Sequence, residues 1–300
     1  MYQGNIISVL TKDKDKSRNL AEKLGKLHED GKVRIFYRRN GDYIRSVLTP
    51  SEYPEKILEA AEAASLSSKV FVHVGDELSW VDGEIALLAT ALGKQVFLVT
   101  ELDEGKVRKV FKGTALETAE IVREPMDDEA KMKDKGLVYV DRVFVVKGVG
   151  VVLTGFALTD LKVHDKLISL PSGKEVEIKS IQVLDEDQEA VGAGVRVGLA
   201  LRNVREDELK DSYLLIKTTV KTFKEFSAKG VIFPWSQVSE GQFHLVSNGS
   251  SIIGNIRTDG EIFRVTLNQP IPLLDRLVLL NVNTKPGKPR VVGYLETKIG

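Results

Sequence analysis

The octapeptide from Leu10 to Ser17, LTKDKDKS, ends in a lysine and a hydroxyl, the pair that closes a phosphate-binding loop of pattern G-x-x-x-x-G-K-[ST]. In such a loop the glycines permit positive φ and close approach of backbone N–H groups to phosphate. The lysine reaches the β- and γ-phosphates, and the hydroxyl holds magnesium. Here Leu10 and Asp15 stand at the two glycine positions, while Lys16 and Ser17 keep theirs. Asp15 adds a carboxylate where phosphate oxygens would lie. Two like unit charges about 4 Å apart repel by about 4 kcal/mol at an effective dielectric near 20, on the order of three decades in affinity. The residues suit a disabled phosphate loop. They also suit a solvated segment in which Asp15 or Ser17 caps the following helix.

A second tract, KTTVKTFKEF from Lys217 to Phe226, interleaves lysines with Phe223 and Phe226. That spacing fits backbone contacts and base stacking on RNA, and it fits plain alternation in a barrel strand equally well.

The elements that position these residues are legible in outline. Asn5 to Leu10 is a short apolar strand, and Leu20, Leu24 and Leu27 then fall on one helical face. Val33 to Tyr37 and Tyr43 to Leu48 flank an Asn40-Gly41 turn and predict a hairpin. A helix is expected from Pro54 to Ala64, a strand from Lys69 to Val74, a helix around Gly83 to Leu92 and a strand from Gln95 to Val99. Residues 1–126 therefore read as an α/β domain, and the charged stretch Met126 to Gly136 as a linker. From residue 137 β-type patterns dominate, predicting one barrel over 137–217 and a second over 218–300. Trp235, after Pro234, is expected as a barrel-end plug in preference to an exposed stacking platform.

Composition bounds the function. The 300 residues, 42% hydrophobic and 29% charged, suffice for two or three domains with cores of their own. Basic and acidic residues number 43 each, so any nucleic-acid contact has to come from a local patch. With no cysteine and four scattered histidines, neither a metal site nor a cysteine nucleophile is expected. No apolar run reaches membrane-spanning length and no cleavable leader opens the chain, so a cytoplasmic monomer is expected.

The segments VDRVFVVKGVGVVLTG, KVHDKL, LPSGKEVEIKSIQV and AGVRVGLALRNVREDEL, within residues 140–209, resemble the second domain of translational GTPases such as elongation factor Tu. They are most similar to its selenocysteine-specific branch and archaeal relatives. The resemblance implies a P-loop GTPase-like α/β domain followed by two β-barrels, and an RNA-facing role in translation. It also gives three degenerate motifs in collinear order. Besides the loop at Lys16 and Ser17, LTPSE (48–52) stands where the family carries D-T-P-G-H, and TELD (100–103) where it carries N-K-x-D. Leu48, Ser51 and Glu52 replace the residues that support magnesium, sense the γ-phosphate and position water. Asp103, which would read guanine, remains.

The resemblance therefore implies a pseudo-GTPase that is not an enzyme and holds no cofactor. Its expected partners are tRNA or the small ribosomal subunit, with a translation factor or ribosomal protein as the alternative. A residual GTP-binding elongation factor using Lys16, Ser17 and Asp103 is the other alternative. The candidate RNA-binding residues are Arg142, Lys147, Arg196, Arg202, Lys221, Lys224, Lys288 and Arg290, with Lys217 and Lys285 beside them. The chain stops at the second barrel, at Gly300, so specific delivery of selenocysteine is not expected.

Overall fold

The computed structural model describes residues 1–236 and 238–297. The end of the expected second barrel, 298–300, lies outside the described residues. The chain divides into two compact units. One comprises Met1–Ile6, Arg38–Ser46 and Asp128–Thr222; the other comprises Ile7–Tyr37, Val47–Asp127 and everything described from Phe223 onward.

The α/β region runs β1 (Gln3–Leu10), α1 (Lys14–Glu22), β2 (Lys26–Glu29), β3 (Val33–Asn40), β4 (Tyr43–Pro50), α2 (Ile57–Leu66), β5 (Lys69–Val74), α3 (Trp80–Leu92), β6 (Gln95–Thr100), α4 (Glu104–Val110), α5 (Ala115–Thr118) and β7 (Glu120–Val122). Its strands form one sheet in the order β2-β3-β4-β1-β5-β6-β7. The β1–β5, β5–β6 and β6–β7 pairs are parallel, so their carboxyl ends line one edge. The strands are near-continuous apolar runs, as expected where both faces are covered. On one face Leu20, Ala21 and Leu24 of α1 pack over Ile7, Val9 and the stacked rings of Phe71 and Phe97. The other face lies under the small side chains of α2 and α3.

The first barrel region runs β8 (Leu137–Val146), β9 (Gly150–Leu158), β10 (Leu161–Lys162), β11 (Lys166–Leu170), β12 (Glu175–Val183), β13 (Glu186–Gln188), β14 (Ala190–Val191), β15 (Val195–Arg202), α6 (Glu206–Leu209) and β16 (Leu214–Lys217), with β10 and β14 paired in a two-stranded sheet of their own. The sheet order is β11-β16-β8-β9-β15-β12-β13, and β11 also pairs with β12, which closes it. Gly155 is needed where β9 crosses β8, because a Cβ there would sit 1.7 Å from the Tyr139 carbonyl oxygen. The stretch read as a linker is docked in this unit: Met132 N–H donates to Gly4 O at 3.0 Å, and Asp134 accepts from the Thr159 hydroxyl at 2.6 Å.

The second barrel is closed by β17 (Thr222–Ile232), β18 (Gly241–Ser247), β19 (Ser250–Asp259), β20 (Ile262–Pro272), β21 (Leu277–Leu280) and β22 (Val291–Glu296), in the order β17-β20-β19-β18-β21-β22. Its Phe233, Val246, Val278, Leu280 and Val291 share one buried cluster with Ala60, Ala64, Leu88 and Leu92 of α2 and α3. Polar bonds lock that junction. Arg290 sits against Glu84 Oε1 at 2.5 Å, with guanidinium side-chain exposure of 12% against 0% for the carboxylate. It also donates to Pro54 O at 2.7 Å and Glu55 O at 3.1 Å. The Tyr53 hydroxyl donates to Glu84 Oε1 at 3.1 Å, and burial, then the Glu84 charge, push this phenol well above its ordinary range. No described helix is long and apolar enough to cross a membrane.

Candidate functional site: the strand-end edge and the basic surface

Phosphate chemistry, if the fold retained it, would sit at the β1–α1 connection. Only Thr11, Lys12 and Asp13 separate the strand from the helix, and no residue of the turn has positive φ. Asp13, in extended backbone, is the N-cap. Its Oδ1 accepts from the N–H groups of Asp15 at 3.0 Å and Lys16 at 2.9 Å, while its carbonyl takes the N–H of Ser17. The donors that would cradle a phosphate are thus filled by the chain's own carboxylate. The helix is capped as one reading of the sequence expects, but by Asp13 and not by Asp15 or Ser17. Asp15 is exposed to solvent, and Ser17 Oγ is buried with no hydrogen-bond partner among the described residues.

Lys12 turns away to Asp82 Oδ2 at 2.8 Å and to the Glu77 carbonyl. Asp103 does not meet Lys16: it caps α4, accepting from Lys106 N–H at 3.1 Å. Ser51, in the LTPSE stretch, donates to the carbonyls of Gly31 and Lys32 at 2.7 Å each. Lys16 opens on a cavity. That hollow, of about 230 Å3, lies at the carboxyl ends of β5 and β6 and is lined by Lys16, Lys23, His73, Thr100, Glu101 and Arg123 among others. The Thr11 hydroxyl lies 3.1 Å from His73 Nδ1, and burial, then the Lys16 ammonium, hold the imidazole below its ordinary range. The cavity is a cationic notch at the switch-point edge where open α/β sheets bind ligands. Among the described residues no cluster of three or more His, Asp or Glu side chains could hold a metal.

The basic candidates divide by burial. Arg196 is committed to Asp141 and lies over the Phe156 ring at 5.7 Å, so it braces the first barrel instead of facing a partner. Arg290 belongs to the buried junction described above. These two drop out as RNA contacts because their donors are spent. Arg202 reaches Glu177 at 3.3 Å but is half exposed, and Lys217 pairs with Asp134 at 3.6 Å. Arg142 and Lys147 are exposed on the β8–β9 hairpin, next to exposed Phe144, Val145 and Val149. Lys221, Lys224, Lys285 and Lys288 are exposed. Trp235 is not a plug: it is 51% exposed. Sequence reasoning misses Asp13 as the cap, His73 and Arg123 in the notch, and Trp80 at the head of α3; the S-W-V-D string at 79–82, a capping box with an aromatic inside it, carries the last signal.

No protein-family model matches the chain. An uncharacterized protein of Methanocaldococcus jannaschii is 28% identical over 246 residues, 77% of this chain and 80% of that one. The selenocysteine-specific elongation factor of the same organism is 39% identical over 93 residues, 30% of this chain, and elongation factor 1-alpha of Picrophilus torridus is 30% identical over 97. These matches span only 20% and 22% of the two elongation factors. Among solved structures, translation elongation factor SelB from Methanococcus maripaludis superposes in its apo form with a TM-score of 0.75 at 17% identity, covering 98% of this chain and 80% of that one. The same factor in complex with the GTP analogue GPPNHP gives 0.76 at 16% identity. The fold is that of these solved elongation factors. Over 30% and 32% of the chain, its homologues are translation elongation factors.

Proposed function

We propose that this chain is a translation-factor-like protein that holds tRNA or the small ribosomal subunit without hydrolysing GTP. The observation that carries the reading is the seat of Asp13, whose carboxylate takes the two helix N–H groups that a nucleotide phosphate would need. A second anion there would have to displace a capping carboxylate and approach Asp15 as well. Leu48, a buried side chain, offers nothing to magnesium, and Ser51 is tied to the backbone, so neither of these two residues supports hydrolysis. The RNA half of the reading draws on the elongation-factor homologues and on the exposed Arg142, Lys147, Arg202, Lys221, Lys224 and Lys288.

A salt-dependent titration of the purified protein against aminoacylated tRNA, deacylated tRNA and small ribosomal subunits, without nucleotide, tests this. Binding that weakens steeply with salt, together with no saturable binding of a GTP analogue, is expected. No RNA binding at low salt overturns the reading. One observation favours a second reading, docking on a translation factor or ribosomal protein: Phe144, Val145 and Val149 expose apolar surface at the tip of the β8–β9 hairpin. A Phe144→Ser change that releases the protein from ribosomes while tRNA affinity is unchanged would select it.

A further inference from the structure

A hollow of about 510 Å3 opens in the second unit between the amino end of α3, the turn after α4, the turn at Trp235 and the turn at Gly287 to Pro289. The chain has two tryptophans, and both line it. Trp80 leaves 45% of its surface to solvent and Trp235 51%, and Val110, which also lines the hollow, is 49% exposed. Such large apolar side chains contribute most when buried, so two open indoles in one groove mark a surface built for something else.

The charge on the groove has one sign. Its two carboxylates are already neutralised: Asp82 by Lys12 at 2.8 Å, Glu84 by Arg290 at 2.5 Å. Lys112 and Lys288 line the same hollow, are exposed and form no ion pair among the described residues. The complement is therefore an anion with a flat apolar body. No lining residue belongs to a strand, so no sheet edge is offered to an extended peptide backbone. Aromatic faces with ammonium groups beside them are the arrangement on which unpaired bases stack while phosphates are neutralised.

We infer that this groove binds unpaired nucleotides of single-stranded RNA, with bases on Trp80 and Trp235 and phosphates beside Lys112 and Lys288. The inference rests on the RNA-binding reading and gives it a location away from the strand-end notch.

The chain's tryptophan emission comes wholly from this groove, which supplies the test. The full chain is titrated with hexaadenylate and hexauridylate RNA at low salt while emission is followed. Saturable quenching is expected. Trp80→Ala and Trp235→Ala should each weaken binding by about tenfold, the lower range of one lost stack, and Trp→Phe at each position should recover most of it. Lys112→Glu with Lys288→Glu should weaken binding further and reduce its salt dependence by about two phosphate contacts. No quenching, or quenching with affinity unchanged in the alanine variants, overturns the groove. Stronger quenching by a glutamate- and phenylalanine-rich peptide than by either RNA also overturns it, in favour of an acidic protein partner. If tRNA or ribosomal subunits bind the wild type and both alanine variants equally with no change in emission, the groove fails while the RNA reading stands. If the oligonucleotides quench but neither tRNA nor subunits bind, the groove stands and the tRNA or ribosome reading fails.

Discussion

Two hollows of the second unit are built on opposite plans. At the strand-end notch the backbone donors are filled by Asp13, the mouth carries Glu101, and the aromatic lining is limited to the imidazole of His73. At the α3 groove each carboxylate is paired with a cation, the lysines are left open, and two indoles line the wall. The helix N–H groups beside the notch are taken by the chain's own carboxylate, and the exposed indoles and unpaired lysines lie at the other hollow. Likeness of architecture and retention of chemistry are separable, because the sheet order depends on apolar runs and the chemistry on a few loop residues.

The largest expected effect probes the wall of the groove. Arg290→Met leaves Glu84 buried without its partner and should cost about 3–5 kcal/mol in denaturant unfolding. Adding Glu84→Gln should return much of that loss; a cost from Arg290→Met of less than about 1 kcal/mol would show that the junction does not depend on the pair. The next concerns the notch. Asp13→Ala should lower stability by about 1 kcal/mol through the lost cap, whereas Ser17→Ala, which removes a buried hydroxyl without a partner, should be neutral or stabilising. Destabilisation by Ser17→Ala would mean that the hydroxyl is serving a ligand or a contact after all.

The smallest effect is a titration. His73 is held below its ordinary value, so the folded state binds fewer protons than the unfolded chain over that window. Its contribution to stability is then present above about pH 6.5, the unfolded imidazole value, and declines as pH falls below it. Lys16→Met removes the second cause of the shift and should move the imidazole resonance back toward the ordinary range in an NMR pH titration, by less than the burial contribution leaves in place. No movement would place the Lys16 ammonium elsewhere than the notch.

Much of this is legible in the sequence. The strand at 5–10 and the Asn40-Gly41 hairpin fall close to where periodicity and turn residues put them, whereas the helix after the strand ends at Glu22, so Leu27 lies on β2 and not on its face. The α3 helix begins three residues earlier than expected, because Ser79 and Asp82 cap it ahead of its apolar run. The strand β2 escapes detection because four residues with one buried-side alternation carry too little pattern. The cap at Asp13 is hidden because LTKDKDKS holds several capping-competent residues, and which one serves depends on where the helix starts, a matter of one or two residues. Arg196 and Arg290 read as surface cations because nothing local announces a partner 55 or 206 positions away in the chain. Size alone argues for placing Trp235 inward, and size says nothing of a ligand.

The single buried cluster shared by α2, α3 and the second barrel bears on regulation. A molecular switch needs two packings of nearly equal free energy and a plane along which one body can slide past another. Here the helices that would form one side of such a plane are continuous with the barrel through Leu88, Leu92, Val246 and Val278, and are stitched by a fully desolvated carboxylate. Melting should therefore show these parts leaving together in one cooperative step.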